Sequence, residues 1–253
     1  MPRFGDVTAA IGAHAVAEVE VHRPPANFFD GPLLADLVAA VTWAGAEGGR
    51  AVVLCSEGKH FCAGFDFGAS DGPDPAQLRA LYGHGVDLVC GPLPVVAAVQ
   101  GAAVGGGLGL ALAADFRVAA PASRFAANFA RLGLHQGFGI SVTLPRAVGH
   151  QRALELLLTG RRVNGDEALR IGLADRLDDD PRAGARMLAG EIAASAPLAV
   201  GAIRRTQRAG LAEAFARAVE RERAEQLALM ATDDFREGIE ASRQRRPAKF
   251  SGS

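Results

Sequence analysis

The chain has little lysine, little cysteine and no long apolar run. Of its 27 lysine and arginine residues, only Lys59 and Lys249 are lysines. Its three cysteines, Cys55, Cys62 and Cys90, do not have the spacing of metal ligands. Their odd number and the lack of an apolar N-terminal signal favour a reducing, cytoplasmic location.

No segment stays apolar for the roughly 18 residues that a membrane-spanning helix needs. We therefore expect no metal site and no membrane anchor.

The net charge is also small. At a formal value of −1, it gives no electrostatic reason to expect a nucleic-acid or membrane partner. The hydrophobic fraction of 49% over 253 residues supports a large core. Length and composition together suit one sizeable α/β domain, alone or with a helical extension.

The first part of the chain alternates between predicted strands and helices. Val16–Val21 alternates apolar and polar residues, which is typical of a half-buried strand. Short apolar runs predict further strands, and helical spacing predicts the intervening helices: strands at Ala51–Cys55, Pro94–Val99 and Asp115–Ala119, and helices at Gly31–Ala46 and Gln77–Cys90. Such alternation favours a parallel or mixed sheet covered by helices.

From about Pro181 onward the strand pattern stops. Three helices are predicted, at Glu191–Ala209, Leu211–Met230 and Asp233–Arg245, the last with Thr232 as its N-cap. The middle helix is amphipathic. We therefore divide the chain into an α/β core at residues 1–190, which carries the site, and a helical region at residues 191–253 for subunit packing.

Two glycine-bearing segments carry most of the functional information. His60–Phe67 follows the strand at Ala51–Cys55, and Gly101–Gly109 follows the strand at Pro94–Val99 and leads into a helix. A strand, a tight turn and a helix start leave backbone N–H groups unpaired. Two such turns facing each other would hold a carbonyl oxygen and stabilise it as it becomes an oxyanion.

This pair of segments resembles the signature of the crotonase (enoyl-CoA hydratase/isomerase) superfamily, and the likeness runs nearly end to end. The resemblance implies a spiral of β-β-α turns with a C-terminal helical oligomerisation region, and assembly as a homotrimer or a dimer of trimers. It implies an acyl-CoA thioester as substrate and no cofactor beyond its coenzyme A moiety. The two N–H donors to the thioester carbonyl would be those of Ala63 and Gly106.

The resemblance also implies a set of substrate contacts. Arg23 and Lys59 would contact coenzyme A phosphates and Asn27 would shape its loop, while Asp66 and Asp115 brace the backbone in preference to acid–base work. The full substrate-binding set is Arg23, Pro25, Asn27, Lys59, Phe61, Gly64, Phe65, Asp66, Phe67, Tyr82, Gly105, Gly109, Asn128 and Phe129.

The chain lacks the carboxylates that the resemblance leads one to expect. Hydratases of the superfamily use two glutamates to position water and exchange its proton, and the matching positions here are Gly109 and Phe129. Where some relatives carry an aspartate, this chain has Gly137. Efficient hydration of simple enoyl-CoA is therefore not expected.

Other polar residues remain as candidates for the chemistry. His135 would serve as acid or base near neutral pH, or would be a loop histidine bonded to backbone. Asn128 would hold a water or an enolate oxygen. Tyr82 and His84 are two residues apart on a predicted helix, so at most one of them points inward.

Two functions of different classes stay open. The first is an acyl-CoA enzyme whose reaction needs oxyanion stabilisation but not two glutamates: isomerisation, decarboxylation, retro-Claisen cleavage, thioester hydrolysis or slow hydration. The second is a non-catalytic acyl-CoA binding protein.

Overall fold

The computed structural model describes residues 1–67 and 74–253. The strands are β1 (Arg3–Phe4), β2 (Val7–Ile11), β3 (Val16–Val21), β4 (Ala51–Ser56), β5 (Val95–Val99), β6 (Ala102–Val104), β7 (Phe116–Ala119), β8 (Arg124–Ala126), β9 (Arg162–Asn164) and β10 (Arg176–Leu177). The helices are α1 (Gly31–Ala46), α2 (Pro75–Cys90), α3 (Gly106–Ala113), α4 (Ile140–Val148), α5 (His150–Thr159), α6 (Gly165–Ile171), α7 (Pro181–Ala193), α8 (Pro197–Gln207), α9 (Leu211–Met230) and α10 (Asp233–Gln244). Short 3-10 turns lie at Ala13–Ala15 and Asn128–Leu132.

The larger sheet has seven strands in the order β1-β2-β3-β4-β5-β7-β10. β2 runs antiparallel to both of its neighbours, β1 and β3, and from β3 onward neighbouring strands run parallel. The parallel strands β4 and β5 are buried at every position and, apart from Ser56 at the end of β4, apolar, because helices cover both of their faces.

Different helices cover the two faces of this sheet. On one face, α7 packs Ala185, Leu188 and Ala189 against Val53 and Val96. On the other face, α1 lies on β2 and against α2, which in turn contacts α3 and α9. The sheet thus forms the middle layer, and α3 and α9 end up on the same side of it.

A smaller sheet carries the strand order β6-β8-β9. It is joined to the end of β4 by the segment that contains Cys62, which forms a parallel bridge to Ala103 of β6. This bridge brings the two glycine-bearing segments side by side, and it was not predicted from the sequence.

Most predicted elements agree with the structure; β3, α1 and α9 have the predicted bounds, and Thr232 caps α10 by accepting from the N–H of Phe235. The predicted helix at Glu191–Ala209 is wrong. The chain breaks after Ala193, and α8 starts at Pro197, because proline has no N–H to donate and disfavours helical backbone just before it.

The predicted domain boundary at residue 190 also differs from the structure. It falls inside α7, which packs on β4, β5 and β7 and belongs to the core. The region beyond α7 is helical, as predicted, but α9 also packs on α2 and α4 of the core.

Within residues 1–67 and 74–253, no single helix is both long and apolar enough to cross a membrane. Of the helices described, only α7 and α8 taken together are long and apolar enough for such a span, and the two helices are bent by 107° relative to each other.

Candidate active site

The two glycine-bearing segments pair through backbone hydrogen bonds. The N–H of Cys62 donates to the carbonyl oxygen of Ala102 at 3.0 Å, and the N–H of Val104 donates to that of Cys62 at 3.1 Å. Gly64 follows in a left-handed conformation, with φ of 89°. A Cβ atom on Gly64 would lie 2.8 Å from the oxygen of Val104 and 3.1 Å from the nitrogen of Gly106. Only glycine therefore allows this close approach.

The free donors at this junction differ from the expected ones. The N–H of Ala63 donates to the carbonyl oxygen of Ala26 at 3.0 Å, so the structure contradicts Ala63 as a donor to the cavity. The N–H of Phe65 has no acceptor among the residues that the structure describes. In the same set, the N–H of Gly106 has none either, as expected in the first turn of α3. Among the free donors at this junction, Phe65 and Gly106 are the two that line the adjoining cavity.

Both donor residues line one cavity of about 70 Å³. Its walls are mostly aromatic and aliphatic: Phe29, Ala63, Phe65, Phe67, Leu78, Leu81, Gly105, Gly106, Phe129, Leu132, Gly137, Phe138 and Met230, with the polar side chains of Tyr82, Asn128 and Gln226. No carboxylate of the described residues is among them. The cavity is therefore a predominantly apolar pocket with two backbone donors at one side.

At two of the three positions where members of the superfamily carry a carboxylate, the structure leaves no room for a side chain. A side chain at Gly109 would begin with its Cβ 2.9 Å from the Cβ of Phe138, so the phenylalanine fills that space. A Cβ on Gly137 would overlap the hydroxyl of Tyr82. Phe129 itself lines the cavity and is 7% exposed.

Two of these polar side chains, Tyr82 and Gln226, meet where α2 contacts α9. The Tyr82 hydroxyl donates to Oε1 of Gln226 at 2.7 Å, and Nε2 of Gln226 donates to the carbonyl of His135 at 2.9 Å. Burial raises the pKa of Tyr82, and the charge of Glu222 adds to this, so the phenol stays neutral. The sequence analysis did not identify Gln226 as a site residue. It lies on α9, which is rich in charged residues, and no local sequence pattern shows which elements this helix packs against.

Comparison with known proteins gives the family. The profile described as "Enoyl-CoA hydratase/isomerase" matches residues 12–253, nearly the whole chain.

The chain belongs to the enoyl-CoA hydratase/isomerase family.

Individual members of this family are similar over most of their length. A probable enoyl-CoA hydratase of Mycobacterium tuberculosis is 42% identical over 216 residues, which cover 83% of this chain and 84% of the relative. An (E)-benzylidenesuccinyl-CoA hydratase of Thauera aromatica is 33% identical over 98% of this chain and 99% of its own. The crystal structure of an enoyl-CoA hydratase from Mycobacterium avium has a TM-score of 0.86 at 30% identity, covering 96% of this chain and 98% of that one. The fold is thus that of the crotonase superfamily.

His135 does not line the cavity, although family resemblance places it on the bordering loop. Its Nδ1 donates to the carbonyl of Gln136 at 2.8 Å, the structural role that was the alternative to acid–base work. The loop is held by a buried carboxylate, since Glu222 of α9 accepts from the N–H groups of Gly139 and Ser141 at 2.7 and 2.9 Å. Burial raises the pKa of Glu222, against the lowering effect of these hydrogen bonds.

A second cavity, of about 460 Å³, adjoins the first, because Phe29 and Phe65 line both. Its other walls come from the residues 23–30 loop and from Asp66. Arg23 lines this cavity, and its guanidinium is paired with Asp6 at 2.7 Å and Asp30 at 2.9 Å, so its contact with a coenzyme A phosphate stays a prediction.

Asn27 shapes this loop, as predicted. It is 1% exposed, its Oδ1 accepts from the N–H of Arg23, and its Nδ2 donates to the carbonyls of Glu57 and His60. Its side chain is therefore used within the loop, and Asn27 lines neither cavity. Asp115 braces the backbone, also as predicted, by accepting from the N–H of Val95 at 2.8 Å.

The remaining predicted residues divide by location. The first cavity is lined by Phe65, Phe67, Tyr82, Gly105, Asn128 and Phe129, and the second by Arg23, Pro25, Phe65 and Asp66. Gly64 holds the junction between the two segments. Phe61 is 1% exposed in the core and Gly109 is buried against Phe138, so the structure contradicts both as substrate contacts. Lys59 lies outside both cavities and, of the residues described, none forms an ion pair with it.

Proposed function

We propose that the protein is an enzyme that binds an acyl-CoA thioester and stabilises negative charge on the thioester carbonyl oxygen. The observation that carries this proposal is the pair of unpartnered N–H groups of Phe65 and Gly106 at the edge of an apolar cavity. An oxyanion needs preorganised donors in a place from which water is excluded.

The helix start strengthens these donors. Gly106 opens α3, so the positive end of the helix dipole lies at the carbonyl. Loss of one such donor typically costs about 10²–10³ in turnover. The two N–H groups would therefore stabilise the enolate or oxyanion far more than the neutral thioester, which is what catalysis requires.

The two cavities suit the two parts of the ligand. The acyl group would occupy the first cavity, among Phe29, Phe65, Phe67, Phe129 and Phe138, and the coenzyme A moiety would extend through the second. An aromatic-walled pocket favours an apolar or aryl-bearing acyl group. The likeness to a hydratase named for a benzylidene-substituted acyl-CoA is in keeping with this.

The reaction would proceed without carboxylates in the cavity. Hydration of a simple enoyl-CoA needs a positioned base and acid, and each is worth about 10²–10⁴ in rate. Tyr82 is the one ionisable side chain in the cavity wall described here, and its raised pKa keeps it neutral. We therefore place the activity among isomerisation, decarboxylation, retro-Claisen cleavage and thioester hydrolysis, with hydration slow.

We also propose a homotrimer or a dimer of trimers in the cytoplasm, with no cofactor beyond the coenzyme A of the substrate. The support for assembly is α8, in which no residue is buried and Leu198 and Ile203 are exposed. Light scattering on dilute protein measures the mass directly. A stable monomer of 26.2 kDa would contradict this proposal.

An acyl-CoA panel tests the function. Crotonyl-, malonyl-, 3-oxoacyl- and cinnamoyl-CoA are each titrated by calorimetry and then incubated with the protein, and products are identified by mass spectrometry. We expect tight binding of at least one thioester, weaker binding of free coenzyme A, and turnover of the thioester bound. Binding without any turnover would instead support a non-catalytic acyl-CoA binding protein, and no binding would overturn the proposal.

A further inference from the structure

We propose that a cavity at the opposite end of α3 binds a small oxyanion of the phosphate type with two negative charges. This arginine cavity has a volume of about 170 Å³ and is lined by Leu112, Ala114, Asp115, Arg117, Thr143, Arg146, Ala147, Arg208 and Leu211. It lies where α3 ends and α9 begins, beside the last turns of α4. The free N–H groups of Phe65 and Gly106 are at the other end of α3, about 12 Å away at 1.5 Å per residue.

The charges around this cavity do not balance. Arg117, Arg146 and Arg208 line it, and Arg204 joins Arg208 on the carboxylate of Asp115. The second carboxylate, Asp175, pairs with Arg117 at 2.7 Å. Four guanidinium groups therefore face two carboxylates, which leaves an excess of two positive charges.

Both carboxylates are already occupied. Asp115 accepts from Nε of Arg204 at 2.9 Å, from Nη1 of Arg208 at 2.5 Å and from the N–H of Val95 at 2.8 Å. Asp175 accepts from both the backbone N–H and the side chain of Arg117. Each acid carries a single negative charge, so the two together neutralise only two of the four guanidinium groups.

Buried donors remain without acceptors. Nε of Arg208 and Nη2 of Arg204 are shielded from solvent, and among the described residues neither has a hydrogen-bond partner. Unsatisfied buried donors on charged groups are costly, and an oxyanion is the acceptor that guanidinium groups bind best. Arg146, on the same cavity wall, has no ion-pair partner within the described part of the chain. Arg117, Arg146 and Arg208 therefore bring guanidinium groups to the cavity wall, and the described carboxylates do not balance their charge.

Mutual repulsion supports the same conclusion. Burial lowers the pKa of Arg117 and of Arg204, and the charge of Arg208 lowers both further. A structural role explains only part of the cluster. Arg208 Nη2 and Arg117 Nη1 donate to the carbonyls of Ala113 and Ala114 and so cap the end of α3, but this leaves the two buried N–H groups and Arg146 unused.

Calorimetric titration with inorganic phosphate tests the site, with sulfate as a second dianion and chloride at matched ionic strength as the reference. The variant is Arg146→Gln, because this side chain is exposed, has no described partner and lies outside the proposed acyl-CoA site. Arg152→Gln is the matched control, since Arg152 is an exposed arginine that does not line the cavity. A further variant, Arg208→Lys, keeps the charge but removes Nε.

We expect one phosphate per chain, a Kd about tenfold weaker in Arg146→Gln, and no change in Arg152→Gln, since one charge-assisted hydrogen bond is worth about that factor. Arg208→Lys should also weaken phosphate binding, while its unfolding transition reports whether it folds. Identical phosphate isotherms for the parent and Arg146→Gln, or no saturable phosphate binding by the parent, would overturn the proposal. Coenzyme A provides a second arm. If its phosphates are the source, Arg146→Gln weakens its binding; if inorganic phosphate is the ligand, coenzyme A binding is unchanged.

Discussion

Replacement of Gly64 by alanine tests whether the close approach of the two segments forms the carbonyl site. Gly64 has a φ of 89°, where an L-residue costs about 1–2 kcal/mol. Its new Cβ would also meet the oxygen of Val104 at 2.8 Å and the nitrogen of Gly106 at 3.1 Å. Real Cβ atoms do not come that close to an oxygen, so the segments must move apart by a few tenths of an ångström.

The expected effect of Gly64→Ala has two parts. Strain, at about 1–2 kcal/mol, and overpacking, at about 1–3 kcal/mol, should together lower the free energy of unfolding by about 2–5 kcal/mol. Displacement of the Gly106 N–H should weaken ground-state binding of the thioester by about 1 kcal/mol, or roughly fivefold in Kd. Turnover should fall by about 10²–10³, because the donor matters most for the charged oxygen.

The assay uses cinnamoyl-CoA, whose conjugated thioester absorbs at longer wavelength when its carbonyl is polarised by hydrogen bonds. The matched control is Gly48→Ala, because Gly48 has a similar φ of 84° but no atom within 4 Å of its Cβ position. Gly48→Ala should therefore lose stability by the strain alone and keep the full spectral shift. A folded Gly64→Ala variant with the parent's Kd and the parent's spectral shift would refute Phe65 and Gly106 as the carbonyl site.

Three further predictions concern chemistry, packing and pH. Crotonyl-CoA hydration, followed by loss of the enoyl thioester absorbance, should run far below the ~10 s⁻¹ that is ordinary for enzymes, since no carboxylate of the described residues lines the cavity. Tyr82→Phe should lower the free energy of unfolding in urea by about 1–3 kcal/mol, because Oε1 of Gln226 loses its donor inside the protein. The free energy of unfolding should fall as the pH decreases below 6.5, in part through His60. In the folded protein burial lowers the pKa of His60, and the charges of Lys59 and Arg124 lower it further. The unfolded chain therefore takes up the proton at a higher pH than the folded protein does, which favours unfolding.

Each of these has its own check. Hydration at ordinary enzymatic speed would mean that another residue does the work of the two glutamates. An unchanged unfolding free energy in Tyr82→Phe would show that the bond to Gln226 contributes nothing. Between pH 7 and 5, the free energy of unfolding of His60→Gln should fall less than that of the parent. The control His150→Gln alters an exposed histidine and should follow the parent. If the free energy of unfolding depends on pH equally in all three proteins, His60 is excluded as the cause.

The helices and strands were largely predictable because their signals are local. The alternation at Val16–Val21, the apolar run at Ala51–Cys55 and the helical spacing at Leu211–Met230 depend only on neighbouring residues and on which face is buried. The predicted helix at Glu191–Ala209 failed where Pro197, itself a local signal, outweighs helical periodicity.

The two glycine-bearing segments were also identified from the sequence, as was their role in a family signature. A sequence motif, however, does not show which of its backbone N–H groups lack an acceptor in the folded protein. Ala63 donates to Ala26, a residue 37 positions earlier, and only the folded loop decides this. The same holds for Arg23, whose charge is compensated by Asp6 and Asp30.

The sequence by itself determined the family, the pattern of elements and the absence of carboxylates at Gly109, Phe129 and Gly137, since these depend on residue identity and order. The tertiary structure decided which atoms meet: Phe65 with Gly106 at the cavity edge, Tyr82 with Gln226, and the arginines around Asp115. The physical reason is that hydrogen bonding and burial join residues far apart in the chain. Tyr82 and Gln226 are 144 positions apart, and no local pattern records such a pair.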